Sequence, residues 1–421
     1  MRRLSYILFL SALYFINGPY ASAQQPDPEY PFLEPQYDFV RYDLNRITHF
    51  KDSSLFEALY EKMDRLFERG EGKINIVQFG GSHVQADIHT GRLRTRLQTF
   101  YPGIKGSRGF LFPFKAAGTN NPYNYTVQYS GSWKSCRNVQ SSANCPLGVA
   151  GISVSTADSL SGFTVFSDTR YAEAYDFNRF RVYHNTDNIA FDLQFGKPEL
   201  VDFMWTNTKE GFTEFILNTY VDTLQLKITR SPHCSGEFTL YGFQLFTDDP
   251  GFVFHSMGVN GAAVPSYLKC SLLSQQLKEL EPDLVIFSVG VNDAHGSNFS
   301  PAAFEANYEK FIAMVKAASP STAILFVTNN DTYFRKKIVN PNAGPVREVM
   351  IKLCTKYGFG MFDLFNIMGG YGSMGTWDKN GLAASDRIHF TRAGYTLVGD
   401  LMFDALLKGY LNHVKQSGQN N

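Results

Sequence analysis

Hydrophobic and polar positions follow two different rhythms along the chain. In residues 51–115 and 251–415, apolar positions at helical spacing alternate with short apolar runs such as INIVQF (74–79) and PDLVIFSVG (282–290). Strands that alternate with helices in this way predict a parallel sheet with helices on both faces. We therefore predict that these two segments form one three-layer α/β domain, with helices covering both faces of the sheet.

Between residues 116 and 250 the pattern changes to a period of two. Runs such as NIAFDLQF and TLQLKITR alternate apolar and polar positions, and Gly, Asn, Ser and Thr recur between them. Short alternating runs at regular spacing, with turn residues between them, are typical of an all-β sandwich or barrel. We predict an inserted all-β domain, a sandwich or a barrel, that interrupts the α/β domain over residues 116–250.

The first residues have the composition of a targeting signal. Two arginines precede an apolar run, and Ala21-Ser22-Ala23 supplies a small-residue cleavage site. We predict a signal peptide over 1–23, export to the periplasm or the medium, and an extended arm over 24–50 that is rich in Pro, Tyr and Asp. The apolar run is short for a membrane span, so a retained N-terminal anchor is the less favoured alternative.

Charge and cysteine content narrow the function classes. The chain has 39 basic and 39 acidic residues, which argues against a nucleic-acid partner because such proteins need a basic surface. The five cysteines match no zinc signature. Cys136 and Cys145 flank a polar loop and are the best candidates for a disulfide in an exported chain. Cys270 and Cys354 lie in apolar helical patterns and are predicted to be buried thiols, whereas Cys234 stays unassigned.

Four polar stretches follow predicted strands or face the sheet edge at which such folds bind ligands. They are GGS (80–82), GVNGA (258–262), GVND (290–293) and DRIH (386–389). Each one alone has an ordinary structural explanation. The serine could simply cap a helix, Asn-Asp after a strand is common turn chemistry, and Asp-x-x-His could be a loop ion pair.

Together, the order Ser, Gly, Asn and then Asp-x-x-His resembles the SGNH (GDSL-like) hydrolase family, which is named for these residues. The resemblance implies that Ser82 is the nucleophile, that His389 is the base and that Asp386 orients it. It also implies an oxyanion hole made of the backbone N–H groups of Ser82 and Gly258 and the side chain of Asn292.

Two further stretches make the resemblance more specific. SHVQAD (82–87) and GSRGFLFP (106–113) are similar to stretches of bacterial peptidoglycan O-acetylesterases, which also carry a β-sandwich domain, similar to carbohydrate-binding modules, after this point. The resemblance therefore implies a flavodoxin-like three-layer α/β/α fold that is interrupted by a β-sandwich or jelly-roll-like insert. Arg108 interrupts the second stretch. Gly81 replaces the Asp that is usual in the family, and this departure leaves open a catalytically inactive relative.

The resemblance implies an exported serine esterase that removes O-acetyl groups from a carbohydrate such as peptidoglycan. It implies a Ser-His-Asp triad, an acyl-enzyme and no metal or organic cofactor. His83, Asp293 and His295 adjoin the residues named above and are further candidates for the pocket. The alternatives are a lipase or thioesterase with the same triad, and a non-catalytic glycan-binding protein on a hydrolase scaffold. The oligomeric state is left open.

Overall fold

The computed structural model describes residues 32–419, apart from 52, 142–143, 169–174, 188–189, 233–234 and 297. The predicted signal peptide, the first part of the predicted arm and Cys234 lie outside the described residues. In the part of the chain that is described, no helix has the length and apolar character needed to span a membrane.

A six-stranded sheet forms the centre of the α/β part. Its strands are β1 (Ile47–His49), β2 (Lys73–Gly80), β14 (Gly251–Gly258), β15 (Leu284–Ser288), β16 (Ala323–Val327) and β19 (Gly360–Phe362). Their spatial order is β1-β19-β16-β15-β2-β14, and all neighbours are parallel except β1 and β19. The arm predicted over 24–50 therefore ends as an antiparallel edge strand, which makes the sheet mixed.

Helices accompany this sheet in the alternation that the sequence predicts. They are α1 (Ser54–Arg69), α2 (Ser82–Gln85), α3 (His89–Thr99), α4 (Val264–Tyr267), α5 (Leu273–Glu279), α6 (Val291–Ala294), α7 (Pro301–Ala318), α8 (Ala343–Tyr357), α9 (Leu364–Ile367), α10 (Ser373–Lys379) and α11 (Arg392–Gln419). The periodicity from 263 to 280 predicts one helix, which is wrong, because the chain breaks between α4 and α5. Cys270 lies in that break and, like Cys354, is a buried thiol.

Side chains of the central strands alternate between two apolar cores. Ile74 and Ile76 of β2 point into the core that contains the apolar residues of α1 and α11. Val77 and Phe79 of the same strand point into a second core on the opposite face. Because both faces are buried, the sequence of β2 is mostly apolar and does not alternate strictly between apolar and polar residues.

The extra domain consists of two antiparallel sheets. The larger sheet contains β3 (Gly109–Leu111), β5 (Lys134–Arg137), β6 (Ile152–Thr156), β8 (Phe177–His184), β10 (Val201–Asn207), β11 (Phe212–Val221) and β13 (Phe238–Phe246). The smaller sheet contains β4 (Tyr125–Ser130), β7 (Leu160–Ser167), β9 (Phe191–Phe195) and β12 (Thr223–Arg230). The remaining two strands, β17 (Tyr333–Phe334) and β18 (Ile338–Val339), form a separate hairpin within the α/β part.

Aromatic side chains join the two antiparallel sheets into a sandwich. Phe163 of β7 contacts Phe243 of β13 with ring centroids 5.8 Å apart, and Phe195 of β9 contacts Phe180 of β8 at 5.4 Å. Cys136 and Cys145 form the predicted disulfide beside this sandwich. The domain limits of 116–250 stay a prediction, and pairing of β3 with β13 already involves residues before 116.

A buried ionic cluster ties the α/β sheet to the sandwich. Asp87 has a left-handed φ of 50° and separates α2 from α3. Its carboxylate accepts hydrogen bonds from Arg94 of α3 at 2.8 Å, Arg108 before β3 at 2.7 Å, Asn124 before β4 at 2.8 Å and Ser256 of β14 at 2.7 Å. The arginine that interrupts GSRGFLFP is therefore the ion-pair partner of the aspartate that ends SHVQAD.

Next to this cluster, His255 of β14 is buried as a neutral imidazole. Its Nδ1 accepts the backbone N–H of Phe110 at 3.1 Å, so the ring proton is on Nε2. Burial, assisted by Arg108 and Arg94, lowers the pKa of His255 to about 3. A proton on Nδ1 would face the Phe110 N–H, so the folded protein resists protonation of this ring.

We expect His255 to make the protein less stable in acid. Below the ordinary histidine pKa of about 6.5 the unfolded chain binds a proton that the folded chain does not, so the free energy of unfolding falls as pH falls. At pH 5 this loss amounts to about 2 kcal/mol. Urea unfolding at pH 7.5 and pH 5.0 measures it, with His255→Gln as the comparison because glutamine accepts the same N–H without titrating. Equal acid losses in both proteins would contradict the assignment.

Candidate active site

The chain passes from β2 into α2 through Gly80 and Gly81, and this turn puts Ser82 at the carboxyl end of the sheet. Gly258, at the end of the neighbouring β14, is opposite Gly80 in the parallel register. A Cβ atom on Gly258 would lie 2.1 Å from the backbone nitrogen of Gln85, so only glycine allows α2 to pack this closely on β14. The close packing therefore explains why position 258 is a glycine.

Ser82, His389 and Asp386 form a continuous chain of hydrogen bonds. The Ser82 Oγ lies 2.7 Å from the His389 Nε2, and the His389 Nδ1 lies 2.7 Å from the Asp386 Oδ2. Because a carboxylate only accepts hydrogen bonds, the ring proton is on Nδ1, which leaves Nε2 to accept from the serine hydroxyl. Residues 307 positions apart in the sequence thus meet in the geometry that activates a serine.

The loop that carries Asp386 fixes this carboxylate in its ionised form. Its Oδ1 accepts the backbone N–H groups of Ile388 at 2.9 Å and of His389 at 3.0 Å. Partial burial alone would raise the pKa of Asp386, but the hydrogen bonds from the His389 ring and from the two backbone N–H groups outweigh it and lower the pKa. The side chains of His389 and Asp386 are 37% and 40% exposed, so a substrate can reach the histidine from solvent.

Asn292 is adjacent to the turn that presents Ser82. Its Nδ2 donates to the backbone carbonyl of Ala262 at 2.9 Å, which fixes the orientation of the amide and leaves its second N–H for another acceptor. A Cβ atom on Gly81 would lie only 2.9 Å from this Nδ2. Val259, rather than Gly258, donates its N–H to Gly80, so the Gly258 N–H is not used in the pairing with β2.

His83 packs against the ring of His389, and Tyr395 holds His83 through a hydrogen bond. The His83 ring centroid is 5.1 Å from that of His389, and the His83 Nδ1 lies 2.8 Å from the Tyr395 hydroxyl. Burial, together with the neighbouring His389, holds the pKa of His83 well below its ordinary value. His83 is therefore a neutral group beside His389. Tyr395 has no signal in the sequence, because it is one of several aromatic residues on an apolar helix.

The other two predicted pocket residues have different surroundings. His295 lies near His389, packs edge-on against Phe334 at 5.0 Å and has its Nε2 3.0 Å from the Thr332 hydroxyl. Asp293 instead accepts the backbone N–H of Val264 at the start of α4, at 3.1 and 3.2 Å, and burial raises its pKa to about 6. Asp293 thus holds two loops together, and its role in a pocket stays a prediction.

Metal-binding chemistry has no obvious site in the described chain. Within those residues, no three His, Cys, Asp or Glu side chains are grouped so that they could hold a metal ion. The groups that can act on a substrate here are a hydroxyl, an imidazole, a carboxylate, a carboxamide and backbone N–H donors. That set is the one used for acyl transfer through a serine.

Comparison with known families and solved structures gives independent evidence on the fold and the family. Residues 230–397 match the model of the GDSL-like lipase/acylhydrolase family. The matched segment contains Gly258, Asn292, Asp386 and His389, and it leaves Ser82 outside. A search of curated protein sequences found no match.

Solved structures resemble the chain at low sequence identity. A peptidoglycan O-acetylesterase superimposes with a TM-score of 0.67 and 19% identity, over 87% of this chain and 99% of that chain. An acetyl xylan esterase gives a TM-score of 0.30 and 21% identity, over 37% of this chain and 81% of that chain. A lipase/acylhydrolase from Enterococcus faecalis gives a TM-score of 0.30 and 20% identity, over 36% of this chain and 74% of that chain.

The first of these similarities extends over both the α/β sheet and the inserted sandwich, so the SGNH hydrolase fold with an extra antiparallel domain is confirmed. The family match covers the loops that hold Asn292, Asp386 and His389, and the fold supplies Ser82 within hydrogen-bond distance. The chain therefore has the SGNH hydrolase fold, and its residues 230–397 match the GDSL-like lipase/acylhydrolase family, which supports an ester-hydrolysing enzyme.

Proposed function

We propose that this protein is an exported serine esterase that removes O-acetyl groups from a carbohydrate, with peptidoglycan as the favoured polymer. The observation that carries the proposal is the hydrogen-bonded chain from Ser82 through His389 to Asp386. Support for the polymer comes from the inserted sandwich and from the similarity, over nearly the whole length, to a peptidoglycan O-acetylesterase. The predicted signal peptide supports export.

In the first half of the reaction, the Ser82 Oγ attacks the carbonyl carbon of the ester while His389 Nε2 takes the hydroxyl proton. The carbonyl oxygen becomes negatively charged, and the N–H groups of Ser82, Gly258 and Asn292 stabilise it. One such donor contributes about 3 kcal/mol to the transition state. The ester bond then breaks, and the sugar oxygen leaves with the proton that His389 returns.

In the second half, water replaces the sugar. His389 takes a proton from the water, whose oxygen attacks the acetyl carbonyl, and the same three donors stabilise the new oxyanion. The bond to Ser82 breaks, the serine oxygen recovers its proton from His389, and acetate departs. Asp386 stays ionised throughout and stabilises the positively charged imidazole that forms in each half.

Acetate release tests this proposal directly. We expect release from O-acetylated peptidoglycan and from p-nitrophenyl acetate, and much slower hydrolysis of a long-chain p-nitrophenyl ester. Hydrolysis only of the long-chain ester would indicate a lipase and overturn the carbohydrate substrate. No turnover of any ester, with binding to the polymer intact, would indicate a glycan-binding protein instead.

Gly81 gives a sharper test of the oxyanion donors. We expect Gly81→Ala to lower kcat for p-nitrophenyl acetate about 10- to 100-fold, because the new methyl group displaces the Asn292 amide from its position. Asn292→Ala removes the same donor, so the double variant should be little worse than Asn292→Ala alone. Multiplicative losses in the double variant would show that Gly81 acts through something other than this amide.

A further inference from the structure

The β17–β18 hairpin packs directly on the loop that holds the reacting histidine. The backbone N–H of Tyr333 donates to the carbonyl of Arg387 at 3.0 Å, and the Arg387 Nη1 donates to the carbonyl of Lys336 at 3.1 Å. Arg387 directly follows Asp386 in the sequence. Phe334, the next residue of β17, contacts the ring of His295. The tip of the hairpin therefore borders the site that contains Ser82.

This tip concentrates positive charge. Arg335, Lys336 and Lys337 are consecutive and exposed, and within the described part of the chain no carboxylate pairs with any of them. The nearby carboxylates already have partners, since Asp378 pairs with Arg387 and Asp386 pairs with His389. The whole chain has a formal net charge of zero, so this cluster is a local feature and not part of a generally basic surface.

The backbone of the tip is strained in order to present these side chains. Arg335 and Lys336 have φ values of 47° and 64°, a left-handed conformation that glycine and asparagine adopt more readily. Two successive long basic residues in this conformation cost stability that Asn-Gly would not cost. Strain that persists beside a reactive site points to a role in function.

We propose that Arg335, Lys336 and Lys337 bind carboxylate groups of the substrate, so that the enzyme acts on an acidic glycan polymer and not on a neutral one such as acetylated xylan. Basic side chains at the rim attract an anionic polymer and align it across the site, with the acetyl ester over Ser82. The inference deepens the proposed function and rests on it for the catalytic step. The binding step can be measured without catalysis.

The test compares two variants of equal net charge change. Arg335→Asn, Lys336→Gly and Lys337→Gln together remove the basic tip, and Lys197→Gln, Lys310→Gln and Lys415→Gln together remove three exposed lysines elsewhere. The probes are O-acetylated peptidoglycan, the same polymer with its carboxyl groups converted to methylamides, and p-nitrophenyl acetate. Each protein is also tested with Ser82→Ala for binding to both polymers by sedimentation.

We expect removal of the basic tip to weaken binding to the unmodified polymer, and to lower kcat/KM on it, about tenfold, since each exposed charge pair changes an equilibrium constant by up to about fivefold. The effect should shrink in high salt and should be absent on the amidated polymer and on p-nitrophenyl acetate. The control variant should behave as the wild type. Equal binding to the native and amidated polymers, or equal losses in both variants, would overturn the inference.

Two measurements distinguish loss of the anionic subsite from unfolding of the variant and from failure of the proposed esterase activity. The basic-tip variant should have a higher melting temperature than the wild type, because Asn and Gly relieve the left-handed strain, so its loss of binding cannot come from unfolding. Charge-dependent binding without acetate release would sink the proposed esterase and keep the anionic subsite. Acetate release at equal rates from native and amidated polymers would contradict the anionic subsite and support the proposed esterase.

Discussion

Replacing Ser82 by alanine is expected to lower kcat for acetate release at least about 10³-fold, the largest effect that any single substitution should have on activity. The alanine removes the oxygen that lies 2.7 Å from the His389 Nε2, and no acyl-enzyme can form without it. KM should change little, because the backbone N–H donors and the walls of the site remain. The free energy of unfolding should also stay close to that of the wild type, since a single partly buried hydroxyl is lost.

Acetate release and p-nitrophenyl acetate hydrolysis, with urea unfolding measured on the same samples, check this expectation. Ser274→Ala is the matched control, because its hydroxyl also donates one hydrogen bond, in this case to the backbone carbonyl of Met314 on α7, but lies outside the site. His389→Gln should reproduce the loss, and the double variant with Ser82→Ala should add almost nothing, since the two residues act as a unit. Substantial turnover by Ser82→Ala would end the nucleophile assignment.

Sequence periodicity was sufficient for the architecture because the two rhythms have different physical origins. A parallel sheet buried on both faces needs continuous apolar strands such as 284–288, whereas a sandwich with one solvated face per sheet needs alternation such as 223–230. Parallel strands bring their carboxyl ends to one edge, which explains why the stretches with Ser82, Gly258 and Asn292 lie together. DRIH follows no strand and lies between α10 and α11, so its place beside Ser82 was implied only by the family resemblance. The family model begins at 230, so the contact with Ser82 is what the three-dimensional structure adds.

The remaining features could not be read from local patterns because they depend on tertiary contacts. Asp87 interrupts an apparently helical run, and the two guanidinium groups that require its carboxylate come from different segments. The break at Cys270 leaves the helical periodicity of the sequence unchanged. Tyr395 forms a hydrogen bond with His83, which lies 312 positions away in the sequence. In each case the partner is distant along the chain, and a single sequence carries no signal for the pairing.

Asp87→Asn is expected to destabilise the folded protein by about 3–5 kcal/mol, because it leaves two buried guanidinium groups without a counter-charge. The side chains of Arg94 and Arg108 are 0% and 4% exposed, and that of Asp87 is 1% exposed. Burial alone would raise the pKa of Asp87, but the charges of the two arginines outweigh it and hold the pKa far below its ordinary range. The carboxylate is therefore ionised at neutral pH.

Asparagine is the informative replacement because it has the shape of aspartate and tolerates the left-handed φ of 50° at position 87, so the charge is the main thing removed. Asp43→Asn is the control, since Asp43 pairs with Arg41 at 2.7 Å on the surface, where water replaces the lost interaction and stability should not change. Thermal and urea unfolding of both variants measure the difference. Similar stability of Asp87→Asn and the wild type would mean that the arginines find other partners, and the cluster could then not be what ties the sandwich to the α/β sheet.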